Sequence, residues 1–348
     1  MTNILNSNYQ YILIWLSVLI ALIVVPLILI ITLKKDENEI LNKYRAMFES
    51  EEEALAAYNR DKLNITISSN DKKRSLFMIL AYVVIFFVLA TIIQYIAIFI
   101  YLGVNKYPYD IIVEGSEIYN EKVFEHMSNI LNVILQVVIY LMILAAAIII
   151  CRKMFINDLK KFRPKYLANA AMGFGLVYAG SMVGQILLTV LGVTNFKGEA
   201  TNQEAINAMF SQGPLAILAL FLVTVIIAPI VEEIVFRKCI FNLFSDRKMG
   251  LYVSTIAFGL LHVVSPIMVA VVGWISGEAA FIDIVLELMY LIPYSLMGLG
   301  MGIAYMKSNN NILAPILTHT ANNLVSFIIS LLMVLFPQFF QLLIVFLK

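Results

Sequence analysis

The sequence predicts an all-α, polytopic membrane protein with about eight transmembrane helices. Three observations carry that prediction. Of the 348 residues, 61% are hydrophobic and 14% charged, with a mean hydropathy of +0.89. Apolar runs long enough to span a bilayer recur along the chain, and such a run must be helical because lipid offers no partner for free backbone N–H and C=O groups. The loops between the runs alternate between rich and poor in Lys and Arg. This balance excludes a soluble enzyme, a disordered tail and a disulfide-stapled secreted domain. A net charge of +1 gives no support to nucleic-acid binding. The partner that the composition demands is the lipid bilayer.

The runs lie at Tyr11–Leu33, Leu76–Leu102, Asn129–Cys151, Tyr166–Val193, Gly213–Val235, Leu251–Trp274, Ile284–Met306 and Ile312–Phe336. The first lacks a basic n-region and a small-residue cleavage site, so it is expected to remain as a membrane span rather than be cleaved as a signal peptide. Positive charge is retained on the cytosolic side. The first ten residues carry no Lys or Arg, whereas 34–75 carries nine, 103–128 two and 152–165 six. Lys197 stands alone before the fifth run; Arg237, Lys238, Arg247 and Lys248 follow it, 275–283 has none, and Lys307 precedes the last run. Eight spans with this alternation place both termini outside, in what is expected to be a bacterial plasma membrane. The chain divides into residues 1–165, a three-helix region with the charged loop 34–75, and 166–336, a second helix bundle. The loop, with its helix-favouring run Glu51 to Leu63, is expected to form one or two cytosolic helices, the alternative being a solvated connector. Small-residue spacings at Gly180–Gly184 and Gly298–Gly302 suit close helix packing. Cys151 and Cys239 both lie beside basic loops and are expected to be reduced thiols.

An ionisable side chain inside an apolar helix costs several kcal/mol unless paired, so such residues mark candidate sites. Glu232, Glu233 and Arg237 sit at the inner end of the fifth run. Glu233 and Arg237 are four apart on one face and can pair. Glu232 points about 100° away and lacks that partner, which suits a general base. The alternative is that both glutamates cap a helix end. His262 lies in the sixth run after Phe258, and His319 lies in the eighth with Asn323 four residues on. At about 1.5 Å of rise per residue, Glu232, His262 and His319 fall roughly 6, 16 and 10 Å from the cytosolic ends of their helices. They are therefore expected to face one water-filled cavity open to the cytosol.

A carboxylate and an imidazole can hold a water, remove its proton and aim it at a carbonyl carbon, while a second His and an Asn serve the oxyanion. That set describes peptide-bond hydrolysis without a covalent intermediate. Glu and two His are also a zinc ligand set, so metal-assisted hydrolysis stays open beside a cofactor-free reaction. No H-E-x-x-H motif occurs, Gly180-Ser181 is followed by Met182 rather than Gly, and Gly298-Leu299-Gly300 by Met301 rather than Asp.

Glu232-Glu233-x-x-x-Arg237, Phe258-x-x-x-His262 and His319-x-x-x-Asn323 together resemble the three-motif signature of the CPBP family, the CAAX prenyl proteases and bacteriocin-processing enzymes also labelled Abi. The resemblance covers roughly 166–336. It implies an intramembrane, glutamate-type endopeptidase like the type II CAAX endopeptidases, in which Glu232 and His262 activate water, His319 and Asn323 form the oxyanion hole, and Glu233, Arg237 and Phe258 support them. The richness in Ile, Asn and Lys fits a low-GC bacterium, where a peptide or membrane protein cut near the cytosolic face is the expected substrate. Two readings from other classes compete with it. One is a proton- or cation-coupled transporter using the same intramembrane acids and histidines. The other is a non-catalytic immunity or scaffold protein that binds its partner in the bilayer.

Overall fold

The computed structural model describes residues 41–42, 44–64, 69–193, 206–336 and 338. The first expected span, Tyr11–Leu33, and Lys197 lie outside the described residues. The described chain is helical and contains no strand. The charged loop does form the expected helix, α1 (Glu51–Asn64). Seven further helices are long and apolar enough to cross a membrane among the described residues: α2 (Asn70–Asn105), α3 (Glu121–Lys160), α4 (Lys165–Val190), α5 (Pro214–Leu243), α6 (Arg247–Ser276), α7 (Phe281–Lys307) and α8 (Leu313–Leu335). Each contains or overlaps one expected run, and the protein is a polytopic membrane protein.

Local chemistry sets the ends. α2 stops at Lys106, whose φ of 55° is left-handed, two residues before Pro108. The Asn120 side chain accepts from Val123 N to start α3, and Asp246 does the same for Lys248 N at the start of α6. Gly277 closes α6 at φ 80°. Gly213 (φ 94°) and Pro214 at the first helical position open α5.

α7 lies between α4 and α6 and also touches α8. The approach is close because glycines line it. A Cβ on Gly184 would lie 2.6 Å from Pro293, and one on Gly298 would lie 3.2 Å from the Phe258 ring. α5 packs on α2, α3, α6 and α8, and a single core joins helices on both sides of residue 165 through Met78, Ile143, Phe236, Phe241, Phe258 and Tyr305. Cys151 and Cys239 are free and buried in this core, with their sulfurs 3.8 Å apart.

The basic ends of the helices meet at one face, as the charge alternation requires. Asp158 at the end of α3 holds Lys238 Nζ at 2.8 Å with both oxygens and accepts from Ile312 N at 3.1 Å. Asn311 donates to the Asp158 carbonyl at 2.7 Å, and Asn169 of α4 donates to Lys307 O at 3.0 Å.

Candidate active site

The expected fifth helix ends at Val235, but α5 runs on to Leu243, eleven residues beyond Glu232. The glutamates are therefore not helix caps. Arg237 need not leave the membrane because Glu233 balances its charge within the helix; both side chains are fully buried. Arg237 Nε lies 3.1 Å from Glu233 Oε2, at an angle outside that of a hydrogen bond. Arg237 Nη2 donates to Gly298 O of α7 at 3.0 Å, and the guanidinium stacks over Phe258 at 4.5 Å.

The pairing reaches further than the spacing implied. His319 Nδ1 lies 2.9 Å from Glu233 Oε1. A carboxylate only accepts, so Nδ1 carries the hydrogen and Nε2 is turned toward Glu232, whose Oε2 is 4.0 Å away. Glu233 thus orients His319, and Arg237 holds Glu233. The other carboxylate is anchored at one oxygen only. Tyr140 of α3 donates its hydroxyl to Glu232 Oε1 at 2.7 Å, while Glu232 Oε2 is buried without a hydrogen bond.

His262 Nδ1 lies 2.9 Å from the Phe258 carbonyl one turn back, which fixes the hydrogen on Nδ1 and leaves Nε2 as the ring's acceptor. Tyr294 stacks on the imidazole at 4.6 Å. Phe258 is the common wall, in ring contact with His262 at 4.6 Å, His319 at 5.6 Å and Phe236 at 5.5 Å.

Asn323 donates to Thr224 O at 2.8 Å, for a reason visible in the backbone of α5. The helix widens to π geometry over Phe221–Ile227, and Ala228 N bonds back to Val223 O. In that register Thr224 O would take the N–H of residue 229, which is Pro229 and has none. The freed carbonyl holds the Asn323 amide, and Asn322 Nδ2 donates to Asn323 Oδ1 at 3.2 Å.

These side chains line one cavity of about 250 Å³, which includes Glu232, His262, His319 and Asn323. Its direction differs from the expected opening to the basic face. Toward that face every residue from Val231 to Phe244 except Lys238 is buried. The lining instead continues along α8 through Ser326 to Ser330, and to Ile206 and Phe210 at the far end of the bundle. Phe236, Phe241 and Phe244 are buried in the core on the basic side of Glu232, and none of them lines the cavity.

Among the described residues no three His, Cys, Asp or Glu side chains come together to hold a metal ion. With Nδ1 of His319 held by Glu233 and that of His262 by a carbonyl, Nε2 is the remaining nitrogen on each ring.

The structure brings the sequence-predicted residues Glu232, Glu233, Arg237, Phe258, His262, His319 and Asn323 together, and beside them stand Tyr140, Gln136 and the Thr224 carbonyl, which sequence reasoning did not single out. The signals were present: Gln136 and Tyr140 are polar positions four apart inside an apolar run, and Pro229 must free a carbonyl about two turns before Glu232.

Residues 214–325 match a family model described as type II CAAX prenyl endopeptidase Rce1-like. The matched segment contains every one of the sequence-predicted site residues. An uncharacterized protein of Mycoplasma capricolum subsp. capricolum is 28% identical over 187 residues, covering 50% of this chain and 49% of that relative. The chain thus spans about half the length of the curated relative it matches. No solved structure matches it.

Proposed function

From the premise that residues 214–325 form an Rce1-like domain, we propose that the chain is an intramembrane endopeptidase that hydrolyses a peptide bond with a glutamate-activated water. One observation carries the reading. Glu232 presents a buried oxygen with no hydrogen bond 4.0 Å from the Nε2 of an imidazole whose other nitrogen is held by Glu233. A water bound to Glu232 Oε2 sits within reach of both groups.

The step follows from these positions. Glu232 takes a proton from the water as its oxygen adds to the scissile carbonyl carbon. The oxyanion accepts from His319 Nε2–H and from the second N–H of the Asn323 amide, whose first is held by Thr224 O. Collapse of the tetrahedral intermediate breaks the C–N bond, and the proton on Glu232 passes to the departing amine. His262, with Nε2 as acceptor, completes the water's hydrogen bonds. No step is routed through a metal.

The substrate class that suits the site is a peptide segment of a membrane or exported protein. The test is cleavage of a peptide library in proteoliposomes by the wild type and by Glu232→Gln, with and without a chelator. Activity that is lost in Glu232→Gln and indifferent to the chelator supports the reading. An active Glu232→Gln overturns it, and chelator sensitivity moves the mechanism to a metal. A transporter predicts instead that Glu232→Gln abolishes proton or cation flux with no proteolysis to lose.

A further inference from the structure

The cavity is longer than catalysis requires, and its polar groups are arranged along one helix. α8 carries Asn322, Ser326 and Ser330 on the side that lines the cavity beyond His319. Ser330 is eleven residues from His319, about 16 Å along the axis. Gln136 of α3 and Thr224 of α5 line the same space. A polar side chain in an apolar transmembrane helix is costly without a partner. Ser330 has one, donating to Asn207 Oδ1 at 3.1 Å. Gln136 and Ser326 make no hydrogen bond among the described residues, and Gln136 offers both a donor and an acceptor at mid-helix. Apart from Glu232 and the two histidines the lining carries no ionisable group but tyrosine, and its remaining walls are apolar, with Phe86, Phe210 and Phe327.

A chain entering a bilayer must have its backbone N–H and C=O groups satisfied, and an extended strand cannot do this for itself. A row of amides and hydroxyls reaching from the end of the bundle to the catalytic water supplies what such a strand lacks. The end it reaches is opposite the basic face, toward which no residue of α5 beyond Glu232 lines the cavity. Positive charge marks the cytosolic side. We infer that the cavity takes an extended, uncharged peptide segment from the extracytosolic side of the membrane, bound along the Asn322, Ser326 and Ser330 side of α8 opposite Gln136. The identity of the ligand as a substrate rests on the endopeptidase reading; the side of access does not.

The two parts separate experimentally. The full chain carrying Gln136→Cys or Ser330→Cys is exposed to a membrane-impermeant sulfonated methanethiosulfonate in right-side-out and inside-out vesicles. The wild type is the blank, because Cys151 and Cys239 are buried. Lys248→Cys and Glu117→Cys mark the two faces. Both cavity cysteines are expected to react from the Glu117 side at least about tenfold faster than from the Lys248 side. Reaction from the Lys248 side alone, reaction from neither side, or reaction of Lys248→Cys from outside the cell overturns the inference. In the peptide-cleavage assay, Gln136→Leu and Ser326→Leu are expected to raise KM about tenfold more than they change kcat. Unchanged KM in both removes the groove and leaves the endopeptidase standing. The expected labelling together with an active Glu232→Gln removes the endopeptidase and leaves the access route.

Discussion

Two adjacent glutamates should respond in opposite ways to the same isosteric change. Glu233→Gln removes the charge that balances Arg237, both side chains being fully buried. Removing one partner of a buried ion pair costs about 3–5 kcal/mol, because the other charge is left uncompensated. A loss of that size lowers the midpoint of thermal unfolding by on the order of 10 °C in a chain of this length. Glu232 has no ion-pair partner within hydrogen-bonding distance and keeps its bond from Tyr140 as an amide. Glu232→Gln should therefore leave stability within about 1 kcal/mol of the wild type. Its cleavage rate should nevertheless fall by about 10²–10⁴, the usual contribution of a positioned base. The built-in probe is the buried pair Cys151 and Cys239, whose reaction with a fluorogenic maleimide in detergent reports unfolding. Glu233→Gln/Arg237→Met, which removes both charges, should recover most of the lost stability. The reasoning is refuted if Glu233→Gln unfolds with the wild type while Glu232→Gln is the unstable variant, or if the double variant is no better than Glu233→Gln.

Tyr140→Phe removes the 2.7 Å bond that holds Glu232 and should lower kcat about tenfold with little change in unfolding temperature, as measured by initial rates and melting in the same detergent. Gly298→Ala places a methyl 3.2 Å from the Phe258 ring and 3.3 Å from Thr255 O; it should cost about 1–3 kcal/mol, read from the thiol-reactivity melt. Asn323→Ala strips the oxyanion donor and leaves Thr224 O without its bond; a fall in kcat of about 10²–10³ with KM nearly constant is expected.

The membrane architecture was legible in the sequence because hydropathy and length answer to the solvent alone. Each described run became a helix since lipid permits little else. The i, i+4 pairing of Glu233 with Arg237 was equally legible, because a helix fixes it whatever surrounds it. The end of the fifth helix was misplaced for the converse reason. Charged residues at 237 and 238 read as a loop, yet Arg237 is compensated by Glu233 and Lys238 by Asp158 from another helix. Such compensation is a property of packing.

What the sequence by itself determined was therefore the set of described spans and the residue types that chemistry could use. Tertiary structure alone decided how they divide the work. Glu233 reaches His319 across eighty-six positions, and Tyr140 reaches Glu232 across ninety-two. No periodicity encodes contacts between helices so far apart in the chain. The direction of the cavity was decided in the same way. Spacing places Glu232, His262 and His319 in one half of the membrane, but which way the cavity runs depends on where Phe236, Phe241 and Phe244 pack. Hydropathy treats those phenylalanines like any other lipid-facing residue, and only contact with α2, α3 and α6 buries them.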